Sequence, residues 1–351
     1  MESLADIAWE HVSCPLCGSG DSSVRLRGGD MLYGLPGEFQ LVRCTACGHH
    51  YVSPRPTPEC IRHYYPASYG PHHPAESCAA PSQPGTAAPA ATTQPWYLSP
   101  LVRRIPGLRR LYYWLSESYA QIIPAVSSSP KRALELGCAD GRFLERLARE
   151  GWEAEGIEPA EEPARRTQAR GLTVHFGRLE PGAFPAGSFD AVFAWMVLEH
   201  VHEPLATLRE IRRVMKDSGW LVFSVPNFAC WERRLFGRYW YALQLPTHLH
   251  QFTPKTLNQM LRRAGFESVR VIHQRNILNL PGSIGLWLRD RFPRSRLGPA
   301  LLRFIDDPGL WGTLVMAPPA VLLAWLHQGG RLTVVARPKT STKYGSHTWT
   351  E

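Results

Sequence analysis

The sequence predicts an α/β protein: a doubly wound, mostly parallel sheet of seven strands, preceded by a small cysteine-knuckle domain. Three observations predict it. From residue 130 onward, short apolar runs alternate with amphipathic stretches of helical length, the pattern of βαβ units with right-handed crossovers. Phe189–Trp195 reads as a continuous apolar run, as expected of a strand covered on both faces. Upstream, four of the eight cysteines fall into two close pairs, Cys14-Pro-Leu-Cys17-Gly and Cys44-Thr-Ala-Cys47-Gly.

The elements follow in chain order. Lys131–Leu136 is a short apolar strand, and Gly-Cys-Ala-Asp-Gly opens a helix over Arg142–Glu150. Trp152–Ile157 is the next strand, Pro163–Arg170 a helix and Thr173–Phe176 a third strand. After the Phe189–Trp195 strand, Leu205–Met215 is amphipathic and Trp220–Val225 is the fifth strand. Thr256–Ala264 reads as a helix, and Ser268–Gln274 and Arg331–Ala336 complete the seven strands. No internal repeat is visible.

Composition divides the rest of the chain. Residues 1–65 hold the cysteine pairs, and 66–100 contain eight prolines and a run of Ala, Ser, Thr and Gln. Such a stretch buries too little surface to offset its chain entropy, so a mobile linker is expected. Residues 101–128 carry apolar side chains at helical spacing between basic ones. They predict an amphipathic helix, packed on the next domain or acting as a lid or membrane-surface element. The α/β core spans 129–275, with an insert at 227–255; an apolar and basic region, 276–340, ends in the last strand, and 341–351 is a tail.

The 351 residues are 44% hydrophobic and 20% charged, which excludes a wholly disordered, a collagen-like or a polytopic membrane protein. The net charge of +9 is uneven: residues 1–90 are acidic and the excess sits in 261–351. The start of the chain lacks a basic and apolar leader pattern, so a reducing cytoplasmic setting is expected. There, paired Cys-x-x-Cys units read as metal ligands sooner than as disulfides. Each turn points two sulfurs at one place, and the following glycine lets backbone amides face the thiolates. Cys14, Cys17, Cys44 and Cys47 therefore supply a tetrahedral shell suited to Zn²⁺, closed to water and hence structural. Cys60, Cys78, Cys138 and Cys230 read as unpaired thiols whose sulfurs carry no chemistry.

Gly137 and Gly141 let the chain turn tightly at a strand-to-helix junction, a geometry that serves dinucleotides and other adenosine cofactors. The dinucleotide fingerprint fails here, because Ala139 and Arg142 stand where its glycines belong. Glu135 at the strand end would repel a pyrophosphate and welcome a cationic ligand.

At these residues the sequence resembles class I S-adenosylmethionine-dependent methyltransferases, whose sheet is Rossmann-like. The resemblance rests on Glu135-Leu-Gly137-Cys138-Ala-Asp140-Gly141, on Glu158 ending the second strand, and on Gly187-Ser-Phe-Asp190. Val197-Leu-Glu199-His200-Val201, Met215-Lys-Asp-Ser-Gly219 and Ser-Val225-Pro226-Asn227 extend it, so that it covers roughly 130–270. The resemblance implies that the Glu135–Gly141 turn cradles S-adenosylmethionine and that Glu158 accepts its ribose hydroxyls. Arg178 and Leu179 are implied beside the adenine, with Trp195 and Met196 beside the sulfonium. Ala139 departs from the family's commoner glycine as a small-for-small change.

Trp195-Met-Val-Leu-Glu-His200 looks like the small-molecule and quinone-precursor members rather than those that methylate nucleobases. The insert, with Pro246-Thr-His248-Leu-His250, resembles a subgroup often paired with an N-terminal cysteine knuckle and linked to glycan and cell-envelope modification. It is expected over the C-terminal ends of the strands. The acceptor implied is a sugar, a glycan or a lipid-linked precursor. Methylation of a hydroxyl needs in-line geometry and a base, for which His248 is the first candidate, His200 the second and His250 the third.

In the C-terminal quarter, residues 310–326 carry no charge, and Pro318-Pro319 are expected to break the segment in the middle. It is read either as a buried or homodimer-forming helical hairpin, or as an interfacial element over 281–326 that touches the inner face of a membrane. Two other functions stay open: an RNA methyltransferase gripping RNA with its knuckle, and a catalytically silent zinc-binding protein. The acidic N-terminal segment argues against nucleic acid, and Glu135, Glu158 and both loop glycines argue against silence.

Overall fold

The computed structural model describes residues 7–66, 69, 122–306 and 308–339. Nearly all of the expected linker, the amphipathic helix as far as residue 121, and the tail lie outside the described residues. Residues 122–128, the end of that expected helix, are not helical; there Ile122, Ile123 and Val126 pack against the cluster around Phe143, Trp152 and Phe193.

The N-terminal module is built from short antiparallel strands. β1 (Trp9–Glu10) pairs with β5 (Arg55–Pro56), while β2 (Ser22–Gly28), β3 (Phe39–Cys44) and β4 (His50–Val52) form a meander.

The core then alternates: β6 (Lys131–Leu136), α1 (Arg142–Arg149), β7 (Trp152–Glu158), α2 (Glu161–Ala169), β8 (Thr173–Phe176) and β9 (Phe189–Trp195). α3 (Pro204–Val214), β10 (Met215–Pro226) and the short α4 (Trp231–Phe236) lead into the insert, where β11 (His250–Gln251) lies. α5 (Pro254–Arg263), β12 (Phe266–His273), α6 (Asn279–Arg291), α7 (Leu297–Asp306), α8 (Gly309–Trp325) and β13 (Arg331–Pro338) complete the chain.

Seven strands form the central sheet in the order β12-β13-β10-β9-β6-β7-β8. β8, β7, β6, β9 and β10 run parallel, and β13 is antiparallel to both its neighbours. This is the Rossmann-like sheet that the sequence predicted. Chain direction explains where the site lies, since all five parallel strands end on one edge. α1 forms because Phe143, Leu144 and Leu147 line one face and bury it on the sheet. α5 starts at a reciprocal cap between Thr253 and Thr256, with Pro254 in its first turn.

β11 does not join the central sheet. It pairs with β4, His250 opposite Tyr51 and Gln251 opposite His50, so the insert supplies the fourth strand of the N-terminal sheet. One continuous core cluster holds Leu16, Val42 and Tyr51 of the module together with Leu134, Val192 and Phe223 of the central sheet. Arg55, almost fully buried, adds a polar tie: it donates to Glu10 at 2.7 Å, to the His202 carbonyl at 2.8 Å and to Glu203 at 3.0 Å.

Two expectations need correction, and one stretch carried none. The fifth parallel strand begins at Met215 rather than Trp220, because the chain enters it through a bulge between those residues. Residues 279–306 form two helices that the sequence did not suggest. Gly282, Gly285 and Gly298 weakened the helical signal, yet they are what lets α6 approach Tyr241 and α7 closely. Finally, Pro318 and Pro319 do not break the apolar segment, which is a single helix, α8. The prolines withhold their N–H groups from the carbonyls of Leu314 and Val315, two exposed residues where water can take the donors' place. Among the described residues, no helix is long and apolar enough to cross a membrane.

Candidate functional site

The two cysteine turns converge. Cys14 and Cys47 sulfurs lie 3.5 Å apart, as do those of Cys17 and Cys44. Gly18 and Gly48 take φ of +79° and +80°, the left-handed conformation a side chain would strain. Their N–H groups donate to the Cys14 and Cys44 carbonyls at 2.8 and 3.0 Å. Backbone N–H groups of Leu16 and Cys17 point at the Cys14 sulfur, and those of Ala46 and Cys47 at the Cys44 sulfur. Four thiols gathered with amides aimed at them are a donor set that fits a soft tetrahedral ion.

The second centre lies where β6 and β7 end. Gly137, Ala139 and Gly141 all have positive φ (+66°, +44° and +71°), so the expected glycine turn includes an alanine held left-handed. A Cβ on Gly137 would stand 2.6 Å from Val197 Cγ2, and one on Gly141 2.4 Å from Thr167 Cγ2. Glu158 accepts from Ala139 N–H at 2.8 Å and from Ala160 N–H at 2.9 Å, which ties the tip of β7 to the turn. Glu135 is buried, and its Oε2 has no hydrogen-bond partner among the described residues. Burial, reinforced by the charges of Asp140 and Glu158, holds the Glu135 carboxyl well above the ordinary carboxylate range. Burial also raises Glu158, against the pull of the Ala160 and Ala139 amides. Three neighbouring carboxyl groups, two of them buried, fit a ligand that carries positive charge and hydroxyl donors.

The remaining expected cofactor residues distribute as follows. Cys138 turns its thiol into the core with Leu144, Ala164 and Val174, leaving its backbone in the turn. Asp140 pairs with Arg142 at the surface. Arg178 is exposed and donates to the Pro58 carbonyl at 3.0 Å, while Leu179 packs against the main core cluster. Trp195 stands edge-on to Phe143 at the end of β9. Met196 follows with φ of +57°, its N–H held by the Ser224 carbonyl at 3.0 Å and hydroxyl at 3.2 Å. A non-glycine residue locked in that conformation is stored strain of the kind found at functional sites.

Beyond Met196 the third centre assembles. The rings of His200 and His248 meet edge to face with centroids 4.6 Å apart. His248 is buried, and its Nδ1–H donates to the Ala242 carbonyl at 2.8 Å, which places the lone pair on Nε2. Burial, with His200 as neighbour, keeps this imidazole neutral by lowering its pKa well below the ordinary value. Nδ1 of His200 lies 3.0 Å from the Thr247 carbonyl oxygen and 2.9 Å from the Tyr65 hydroxyl. Glu199 is fully buried, its carboxyl pushed up to about 8 by burial against the pull of its own N–H and of Arg331. His250 is set apart from this pair: its ring nitrogens engage His49 and the Val201 carbonyl.

Sequence reasoning missed Glu199, Tyr65 and Tyr69 as site residues. The tyrosines come from the end of the N-terminal module, with ring centroids 4.9 Å apart, and burial raises both phenols close to Glu199 and Glu158. Only the acid-histidine pair Glu199-His200 carried a usable signal.

Residues 109–271 match a family model described as a methyltransferase domain. A ubiquinone biosynthesis O-methyltransferase of Cereibacter sphaeroides is 31% identical over 150 residues, which are 39% of this chain and 61% of that protein. The protein of the same name from Chromobacterium violaceum is 28% identical over 152 residues, 40% of this chain and 66% of that one. The chain thus spans just under two thirds of these relatives' length. A solved S-adenosylmethionine-dependent methyltransferase from Mesorhizobium loti aligns with a TM-score of 0.42 and 19% identity, over 64% of this chain and 97% of that one.

Proposed function

We propose that the protein is an S-adenosylmethionine-dependent methyltransferase that modifies a hydroxyl of a small acceptor: a sugar, a glycan or a lipid-linked cell-envelope precursor. The observation that carries this reading is the pair of buried carboxyl groups, Glu135 and Glu158, beside a left-handed turn. A cluster so poor in counter-charge favours a cationic ligand. When bound, the cofactor supplies an electrophilic methyl group on a sulfonium.

This chain's residues do the rest. Glu158 holds the ribose hydroxyls, the Gly137–Gly141 turn presents backbone to the methionine end, and Glu135 faces its ammonium. Trp195 and Met196 lie toward the sulfonium. His248 and His200 receive the acceptor hydroxyl, with His248 fixed by Ala242 in the tautomer that offers Nε2. Tyr65 and Tyr69 close the site from the module side and exclude water. The cysteine set holds Zn²⁺ and keeps the module in shape. The hydroxyl acceptor is supported by the names of the relatives above, and a lipid-linked one by the exposed apolar face of α8 in the basic C-terminal quarter.

Transfer of label from methyl-labelled cofactor to fractionated extracts of the source cell tests the reading. Label is expected in a hydroxylated small-molecule or glycolipid fraction and to be lost with His248→Ala. Label in RNA alone, or in no fraction, would overturn it.

A further inference from the structure

Three ligand-type side chains meet where β9 gives way to Glu199-His200 and the insert brings in His248. A carboxylate oxygen of Glu199 and a ring nitrogen from each histidine all lie within 4.8 Å of one another. Both oxygens of Glu199 are sealed from solvent and have no hydrogen-bond partner among the described residues. A glutamate acting on a catalytic histidine would be bonded to it at about 2.6–3.2 Å. Groups that crowd one point without bonding to each other are arranged as ligands around an ion.

A second observation points the same way. His248 donates Nδ1–H to the Ala242 carbonyl at 2.8 Å, and His200 Nδ1 lies 3.0 Å from the Thr247 carbonyl. Metal-bound imidazoles are held like this, with the outer N–H on a carbonyl fixing the tautomer and turning the other lone pair to the metal.

We propose that Glu199, His200 and His248 bind a divalent transition-metal ion in a two-histidine, one-carboxylate set. Such a set leaves coordination positions open, unlike the four-cysteine site. The chemistry that follows rests on the methyltransferase reading; the binding does not. An acceptor hydroxyl placed on the ion becomes more acidic. Its O–H bond breaks and the proton passes to solvent. The oxygen pair forms the bond to the methyl carbon, while the carbon–sulfur bond breaks with its pair staying on sulfur. The ion keeps its oxidation state throughout. His248 thus acts on the hydroxyl through the metal, and acceptors with two adjacent oxygens, which chelate, are favoured.

The test is a Mn²⁺ titration of full-length protein whose cysteine site has first been filled with one equivalent of Zn²⁺, with free Mn²⁺ read by electron paramagnetic resonance. Mn²⁺ is chosen because thiolates bind it poorly. Uptake of one Mn²⁺ per chain is expected, weakened at least about tenfold in Glu199→Gln and in the less buried His200→Gln. Both variants should retain their zinc and bind S-adenosylhomocysteine as wild type does, which shows them folded and keeps a failed metal site distinct from a failed methyltransferase reading. No Mn²⁺ uptake by the wild type, or uptake unchanged in both variants, would overturn the proposal.

Discussion

His49 Nε2 and His250 Nδ1 face each other at 3.3 Å in a fully buried contact, joining the second cysteine turn to the insert at 227–255. The Val201 carbonyl can only accept, so the His250 Nε2 that meets it at 2.9 Å carries a hydrogen. In neutral His250, Nδ1 is then the acceptor and His49 Nε2–H the donor. The backbone N–H of His250 also donates to the Glu199 carbonyl at 3.1 Å. A relay therefore links the module to the Glu199–His200 segment: His49 holds His250, and His250 holds the backbone on both sides of His200.

His49→Ala is expected to cost about 1–3 kcal/mol of stability by orphaning a buried ring nitrogen. Because Glu199 and His200 lose their anchor, kcat should fall about tenfold or more, while calorimetric cofactor affinity stays unchanged. Equal losses in kcat and in cofactor affinity would contradict this relay.

Gly137→Ala should abolish cofactor binding. The new Cβ would press on Val197 at a backbone φ of +66°, a conformation that costs an L-residue roughly 1–2 kcal/mol. Ala139→Gly, at a neighbouring left-handed position, should leave binding intact. Titration of both variants with S-adenosylhomocysteine checks the pair.

Asp190 fastens the sheet. Burial raises its carboxyl, but the Arg132 N–H at 2.9 Å, Lys216 at 2.7 Å and Ser128 at 2.7 Å outweigh this and lower it. A carboxylate lowered on folding stabilises the protein above its unfolded pKa, and that contribution is lost as pH falls through the folded one. Asp190→Asn should therefore be less stable than wild type by roughly 1–3 kcal/mol at neutral pH. The gap should close below about pH 3–4. Denaturant midpoints across pH measure it; a gap that widens in acid would refute the assignment.

α8 leaves Val315, Leu322 and Trp325 exposed, the last at 76%, in the basic quarter of the chain. An apolar helix face flanked by arginines suits an anionic membrane surface. Co-sedimentation with vesicles rich in anionic lipid should be salt-sensitive and fall several-fold in Trp325→Asp. Equal pelleting of that variant would remove α8 from the contact.

The strands and first helices of the core were legible because parallel strands are buried on both faces and their helices are amphipathic. Glu135, Gly137 and Glu158 were legible because a tight turn and a strand-end carboxylate need those residue types. Other features carry no local pattern. A two-residue strand such as β11 has no periodicity, so its pairing with β4 arises only in three dimensions. Glu199 and His248 are 49 residues apart in the chain, and no spacing rule links them. Pro318 and Pro319 signalled a break because propensity ignores water at an exposed carbonyl, and the glycines of α6 masked a helix that needs them for close packing.

Calorimetric titration of zinc-replete protein with S-adenosylhomocysteine, wild type beside Glu158→Ala, tests the central claim most directly. The account expects saturable binding of one molecule per chain by the wild type and at least about a tenfold weaker Kd in the variant, as follows from losing charge-assisted hydrogen bonds. No heat from the wild type, or equal affinity in the two proteins, would contradict it.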